Sequence, residues 1–160
     1  VNLPEPESNQ TTPNYKPPIW TDLKTLSNLA ISEELTQIQR LSPIALAYIG
    51  DAVYELYIRT RFLMPPKRMA DYHDRVVSLV RAESQAAYLT VLEPDLTPLE
   101  KEILRRGRNA TVGTPRRLAR NIYQQASSFE TLIGYLFLRD LDRLEKLFDK
   151  LEPLFLKEEI

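Results

Sequence analysis

Apolar positions along this chain recur with a helical period, and no stretch alternates in the manner of a strand. From Ala45 to Glu55 the sequence is apolar almost all round, which is the mark of a buried helix. Ser42-Pro43 supplies its start signal, with proline at the first helical position. The helix should run to about Phe62, and Pro65-Pro66 ends the segment. A long helix is predicted from about Met69 to Leu92, stopped near Pro94. Thr97-Pro98-Leu99-Glu100 reads as a capping box opening a helix to about Arg106. Gly107 and Gly113 should bracket an irregular arginine-rich loop. A further helix is expected from about Arg120 or Asn121 to Leu138. The last should span about Leu141 to Phe155, with Leu141, Leu144, Leu147, Phe148 and Leu151 on one face.

The N-terminal part reads differently. Residues 1–18 are rich in proline, asparagine and threonine and lack periodic apolar positions, so they are expected to form a disordered tail. Trp20 to Ile31 has the composition of a short helix, and Ser32 caps another running to about Leu41. The predicted organisation is one all-α domain over residues 19–160 behind that tail.

Composition narrows the chemistry. The 160 residues include no cysteine and one histidine, so thiolate and multi-histidine metal sites are excluded. A metal held by this chain needs mainly oxygen ligands, which favours Mg2+ or Mn2+. No apolar run reaches membrane-spanning length, and the N-terminus lacks the pattern of a signal peptide. The expected location is therefore the cytoplasm, or the plastid stroma for an organellar protein.

The net charge of −1 hides a strong asymmetry. Between residues 101 and 120, Lys101, Arg105, Arg106, Arg108, Arg116, Arg117 and Arg120 face only Glu102. A concentrated basic segment on an otherwise acidic chain points to a polyanion. The guanidinium fork suits phosphate, and Asn109 adds a neutral hydrogen-bonding group.

Two carboxylates stand out because their surroundings are apolar. Asp51 sits inside the first apolar helix, and aspartate is rarely buried unless paired or metal-bound. It caps something, pairs with a buried base, or holds a cation. Gly50 beside it makes room for a close neighbour, either backbone or ligand. Glu130 opens a second apolar helix, from Phe129 to Leu138. A glutamate there is also favoured by the helix dipole, but two isolated acids on two core helices suggest a shared cation. Glu55 lies one turn beyond Asp51 and is either a third ligand or an ion-pair partner of Arg59. His73 begins the long helix near Arg75; it either lines the cleft or has a structural role. Tyr48, Tyr54, Tyr57, Phe62 and Tyr135 have helical spacing and read as core or interface residues.

The segments around Gly50-Asp51 and Phe129-Glu130 resemble the two metal-binding helices of the ribonuclease III family. Between them, Arg81 to Ala86 and Leu104 to Ala110 resemble its compact branch, the Mini-ribonuclease III group, which lacks a double-stranded-RNA-binding domain. The likeness spans roughly residues 40 to 140. It implies a ribonuclease III-like helical fold and a Mg2+- or Mn2+-dependent endoribonuclease acting on double-stranded RNA. The branch implies a role in maturing large-subunit (23S) ribosomal RNA. It also implies a homodimer with one RNA valley, each subunit cutting one strand, and a ribosomal protein as a further partner. By the same resemblance Asp51 and Glu130 are the metal ligands. The segment with Arg105, Arg106, Arg108, Asn109, Arg116, Arg117 and Arg120, together with His73, is the RNA-contact candidate. Larger family members carry a glutamate where this chain has Ala47, and an aspartate where it has Ser127. Those absences support a competing reading, a non-catalytic RNA-binding or ribosome-associated module on the same fold.

Overall fold

The computed structural model describes residues 38, 40–111, 113 and 117–157. The expected tail, the helix over Trp20 to Ile31, most of the helix capped by Ser32, and Arg116 lie outside the described residues. Six α-helices follow in order among the described residues: α1 (Pro43–Arg61), α2 (Met69–Val80), α3 (Ala82–Leu92), α4 (Pro98–Ala110), α5 (Arg120–Arg139) and α6 (Leu141–Lys157). A 3-10 turn, Glu93–Asp95, joins α3 to α4. No strand occurs among the described residues, so the fold is all-α as expected.

Local chemistry sets several ends. Ser42 caps α1 by accepting from the Ala45 amide at 3.1 Å, with Pro43 in the first turn. Thr97 and Glu100 close a full capping box on α4: the Thr97 hydroxyl accepts from the Glu100 amide, and the Glu100 carboxylate accepts from the Thr97 amide. Glu100 is itself buried and receives Arg143 of α6 at 2.8 and 3.0 Å. The start of α4 is thus tied to the last helix.

Two expected elements differ. The long helix over Met69 to Leu92 is broken at Arg81, whose backbone is extended (φ −64°, ψ 154°). The break leaves carbonyls of α2 without helical donors. Side chains of α3 supply them: the Ser84 hydroxyl donates to Ser78 O at 2.6 Å and the Gln85 amide to Val80 O at 3.0 Å. Second, α4 does not stop at Arg106 but runs through Gly107 to Ala110, so Arg108 and Asn109 are helical rather than looped. The helix carries glycine at position 107 because a side chain there would collide with α5. A Cβ would stand 2.6 Å from Thr131 Oγ1. Gly113, by contrast, has φ +81° and does require glycine's freedom.

α5 is the hub. It packs against α1, α3, α4 and α6 and is buried without interruption from Thr131 to Phe137. Its buried hydroxyls donate one turn back, Ser128 to Gln124 O and Thr131 to Ser127 O. Around it, Tyr54 of α1 meets Phe129 edge-on at 5.1 Å, and Tyr57 stacks on Phe148 at 4.3 Å. Tyr54, Phe62 and Tyr135 are core residues, as their spacing predicts.

α1 and α5 approach closely at two glycines. A Cβ on Gly50 would lie 1.8 Å from the Glu130 carbonyl oxygen, and one on Gly134 would lie 1.9 Å from Leu46 O. Backbone touches backbone on both sides, so Gly50 serves a close helix neighbour. Replacing either glycine by alanine forces the two helices apart, because neither contact is a side chain that can swing away. Gly50→Ala and Gly134→Ala should each lower stability by ~2 kcal/mol or more, read as a lower urea midpoint and melting temperature. Ala52→Gly, on the exposed side of α1, should show only the smaller helix-propensity loss of about 1 kcal/mol.

Candidate active site

The glycine crossing places both carboxylates. Asp51 directly follows Gly50, and the carbonyl packed under Gly50 belongs to Glu130 itself. Gly134 stands one turn beyond Glu130 on α5. The two acids therefore line one cavity of about 330 Å3, together with Ala47, Ser127, Tyr123 and Gly107. Asp51 is exposed at its rim and Glu130 is half-buried. Among the described residues neither acid forms an ion pair.

Electrostatics follow from that placement. Burial, then the charge of nearby Glu55, pushes the Asp51 carboxyl above the usual range. Glu130 is raised to about 7, chiefly by burial and next by Asp51. A hydrogen bond from Gln85 offsets part of this, and Glu55 adds to it. Two acids in one cavity, Glu130 held up in part by the charge of Asp51 and neither paired with a base, match the donor set that Mg2+ accepts. Glu55 takes a different part: its carboxylate accepts from Arg59 at 2.6 Å on the same helix. No group of three potential ligands forms among the described residues, so a cation here would rest on two carboxylates, with water filling its other positions.

Ala47 and Ser127, the two positions at which the resemblance leads to the expectation of further acids, line the same cavity as Asp51 and Glu130. The arginine segment is divided by its helix. Arg105 is held by both oxygens of Glu102 at 2.7 Å. Arg106 donates to Leu41 O, next to the cavity wall formed by Pro43 and Ile44. Arg108 points elsewhere, lining a separate hollow of about 510 Å3 with Lys101. Asn109, Arg117 and Arg120 are exposed, the last two bordering the start of α5. His73 is exposed on α2, away from the two acids. Arg75 turns inward, over the Phe62 ring at 5.0 Å and onto Phe155 O.

The residue most easily missed in the sequence is Gln85. It lies in a stretch of alanines and aliphatics, and its one signal is a long amide inside an apolar helix. Tyr123, on the cavity wall, gives no sequence signal at all.

A Ribonuclease III domain model matches residues 44–140, which carry both acids and both glycines of the crossing. The chain belongs to the ribonuclease III family, in its Mini-ribonuclease 3 branch. It is 57% identical over 115 residues to the Mini-ribonuclease 3 of Synechocystis, covering 72% of this chain and 80% of that protein. Against the Mini-ribonuclease 3 of Thermosynechococcus vestitus the identity is 53%, covering 70% and 74%. A crystal structure of a protein from Fusobacterium nucleatum superposes with a TM-score of 0.65 at 27% identity, covering 72% of this chain and 93% of that one. Family membership makes the chain a ribonuclease.

Glu130 gives a pH prediction for the metal-free protein. Its folded pKa of about 7 lies above the ordinary 4.5, so the folded chain holds this proton more tightly than the unfolded one. The resulting stability is fully present below pH 4.5 and is lost as pH rises through 7. Glu130→Gln abolishes that loss. In EDTA the variant should match wild type near pH 4.5 and exceed it above pH 7 by up to about 3 kcal/mol. Urea unfolding at the two pH values checks this, and equal pH dependence in both proteins would show that Glu130 is not raised.

Proposed function

We propose that this chain is a divalent-metal-dependent endoribonuclease that hydrolyses double-stranded RNA, acting in the cytoplasm or the plastid stroma. The observation that carries the reading is the single cavity holding Asp51 and Glu130. Both sit on rigid helices, and the backbone contact at Gly50 limits any drift between them. A bound Mg2+ would polarise the scissile phosphate and supply activated water. Asp51 and Glu130 would hold it and neutralise its charge in part. Arg106 on the cavity side, and Arg117 and Arg120 at the mouth of α5, would draw in the phosphate backbone. Duplex RNA offers phosphates and 2′-hydroxyls more readily than bases, which suits such a set of cations. The maturation of large-subunit (23S) ribosomal RNA, with a ribosomal protein as a further partner, follows from the resemblance to the compact branch.

The non-catalytic alternative draws on Ala47 and Ser127. Retention of Asp51 and Glu130 in one cavity weighs against it. Asp51→Asn and Glu130→Gln should each abolish duplex cleavage in Mg2+ while duplex binding in Ca2+ persists. Both changes keep shape and remove the charge that holds the cation. Single-turnover cleavage of a labelled duplex, with EDTA as control, is the measurement. Turnover near the wild-type rate in either variant, or in EDTA, would sink the assignment.

The reading includes a homodimer. α1 is not buried all round in the single chain: Ile44, Tyr48 and Ile49 are exposed on it, and Leu41 is exposed just before its start. Tyr48, at 81% exposure, and Ile44 also line the cavity, so a partner covering them would border the two acids. Large apolar side chains grouped in this way mark an interaction surface, and a two-fold pairing would bring two cavities to one duplex. Sedimentation at micromolar concentration should report a dimer, and Tyr48→Glu should shift it to monomer with its helix content unchanged. A wild-type monomer that still cuts both strands would overturn the shared-valley arrangement.

A further inference from the structure

We propose that Tyr123 is the residue of this cavity that recognises ribose: its phenol hydrogen-bonds the 2′-hydroxyl of a nucleotide beside the scissile phosphate. The inference rests on the reading of the cavity as the site that cleaves RNA, and adds the group that tells RNA from DNA there. Tyr123 lines the same cavity as Asp51 and Glu130. It stands on α5 with Ser127 and Glu130 at i, i+4 and i+7, a spacing that puts all three on one face of the helix. Seven residues span about 10.5 Å of helix axis, so Tyr123 lies some two turns from the acid of its own helix. Arg120 shares that face one turn earlier and is exposed. A strand laid along this face, with its scissile phosphate at the two acids, would pass Tyr123 before it reached Arg120.

A packing role alone does not account for this side chain. Other hydroxyls on the cavity wall are already used: Thr111 donates to Gly107 O at 3.0 Å and Thr131 to Ser127 O at 2.7 Å. The Tyr123 amide bonds Ala119 O as the helix requires, but its phenol has no partner among the described residues. The phenol oxygen is not sealed in the core either, so it opens onto solvent. Phenols elsewhere hold the fold: Tyr54 donates to Leu79 O at 3.0 Å, and Tyr72 to Arg59 O. Where the core needs only a ring it carries phenylalanine, as at Phe129, Phe148 and Phe155. A half-buried ring with an uncommitted hydroxyl, in one cavity with two acids, is suited to hold a polar ligand group. A ribose hydroxyl fits it better than a phosphate does. The phenol is neutral and both donates and accepts, as a 2′-hydroxyl does. Phosphate is better matched by the guanidinium of Arg120, whose charge complements it.

The test is a coupling cycle on duplex binding in Ca2+, using the full chain and a duplex whose cleavage site has first been mapped in Mg2+. The probes are the all-RNA duplex and a series carrying a single 2′-deoxynucleotide at each position flanking the cut. For wild type, one deoxy position should weaken binding about 2- to 10-fold, the worth of one net hydrogen bond. Tyr123→Phe keeps the ring, should melt with wild type, and should lose the same factor on the all-RNA duplex. On the sensitive deoxy duplex it should lose nothing further, because both changes remove one bond. Tyr72→Phe removes a phenol outside the cavity and should show no such coupling. A wild type indifferent to every deoxy position would overturn the proposal before any variant is made. A Tyr123→Phe loss that is the same on every duplex would assign the phenol to a phosphate and overturn the ribose contact. No loss on any duplex, or a variant that no longer folds, would overturn it as well. Metal-dependent cleavage by wild type with no coupling at Tyr123 would remove this inference alone. A wild-type chain that neither binds nor cuts duplex RNA would remove the reading on which it rests.

Discussion

The contact between the backbones of α1 and α5 at Gly50 and Gly134 is the constraint on which the rest of the molecule depends. Each glycine faces a carbonyl of the other helix at a distance no Cβ tolerates. A third glycine, Gly107, lets α4 press against Thr131 of the same hub helix. Three helices are thus drawn together around the cavity with Asp51 and Glu130, which Gly107 and Thr131 also line. Packing and site are one arrangement, because Gly50 is next to Asp51, Gly134 is one helical turn from Glu130, and Gly107 lines the cavity itself.

That closeness has an electrostatic consequence. Burial raises both carboxylates, helped at Asp51 by Glu55 and at Glu130 by Asp51, which takes Glu130 to about 7, and neither forms an ion pair among the described residues. The chain stores an unfavourable interaction where a cation would turn it into a favourable one. The nearby carboxylate of Glu55 is drawn off by Arg59 along its own helix. The cations that meet RNA in the proposed reading are likewise sorted by geometry. Arg105 is committed to Glu102, and Arg75 to the core, whereas Arg117 and Arg120 stay exposed by α5.

Much of the helix pattern was legible in the sequence because its causes are local. Ser42-Pro43 and the Thr97–Glu100 capping box act within one turn, and α1, α5 and α6 show their apolar faces directly. The two deviations have a common cause. The break at Arg81 is invisible because side chains of Ser84 and Gln85, ordinary in sequence, supply the donors that stabilise it. The continuation of α4 through Gly107 is hidden because glycine reads as a breaker, while its actual purpose is contact with Thr131 on another helix.

The sequence by itself determined an all-α chain, the isolation of Asp51 and Glu130 in apolar helices, and the need for a close neighbour at Gly50. Resemblance in the segments around those residues pointed to the ribonuclease III family. Only the tertiary structure decided that the neighbour of Gly50 is the Glu130 backbone, that Ala47 and Ser127 share the cavity with the two acids, and that Gly107 presses against Thr131. The reason is physical. Caps and periodicity act between residues a turn apart, so the chain order records them. The approach of two backbones, and the burial that shifts an acid, depend on residues some eighty positions apart, and these meet only when the helices pack.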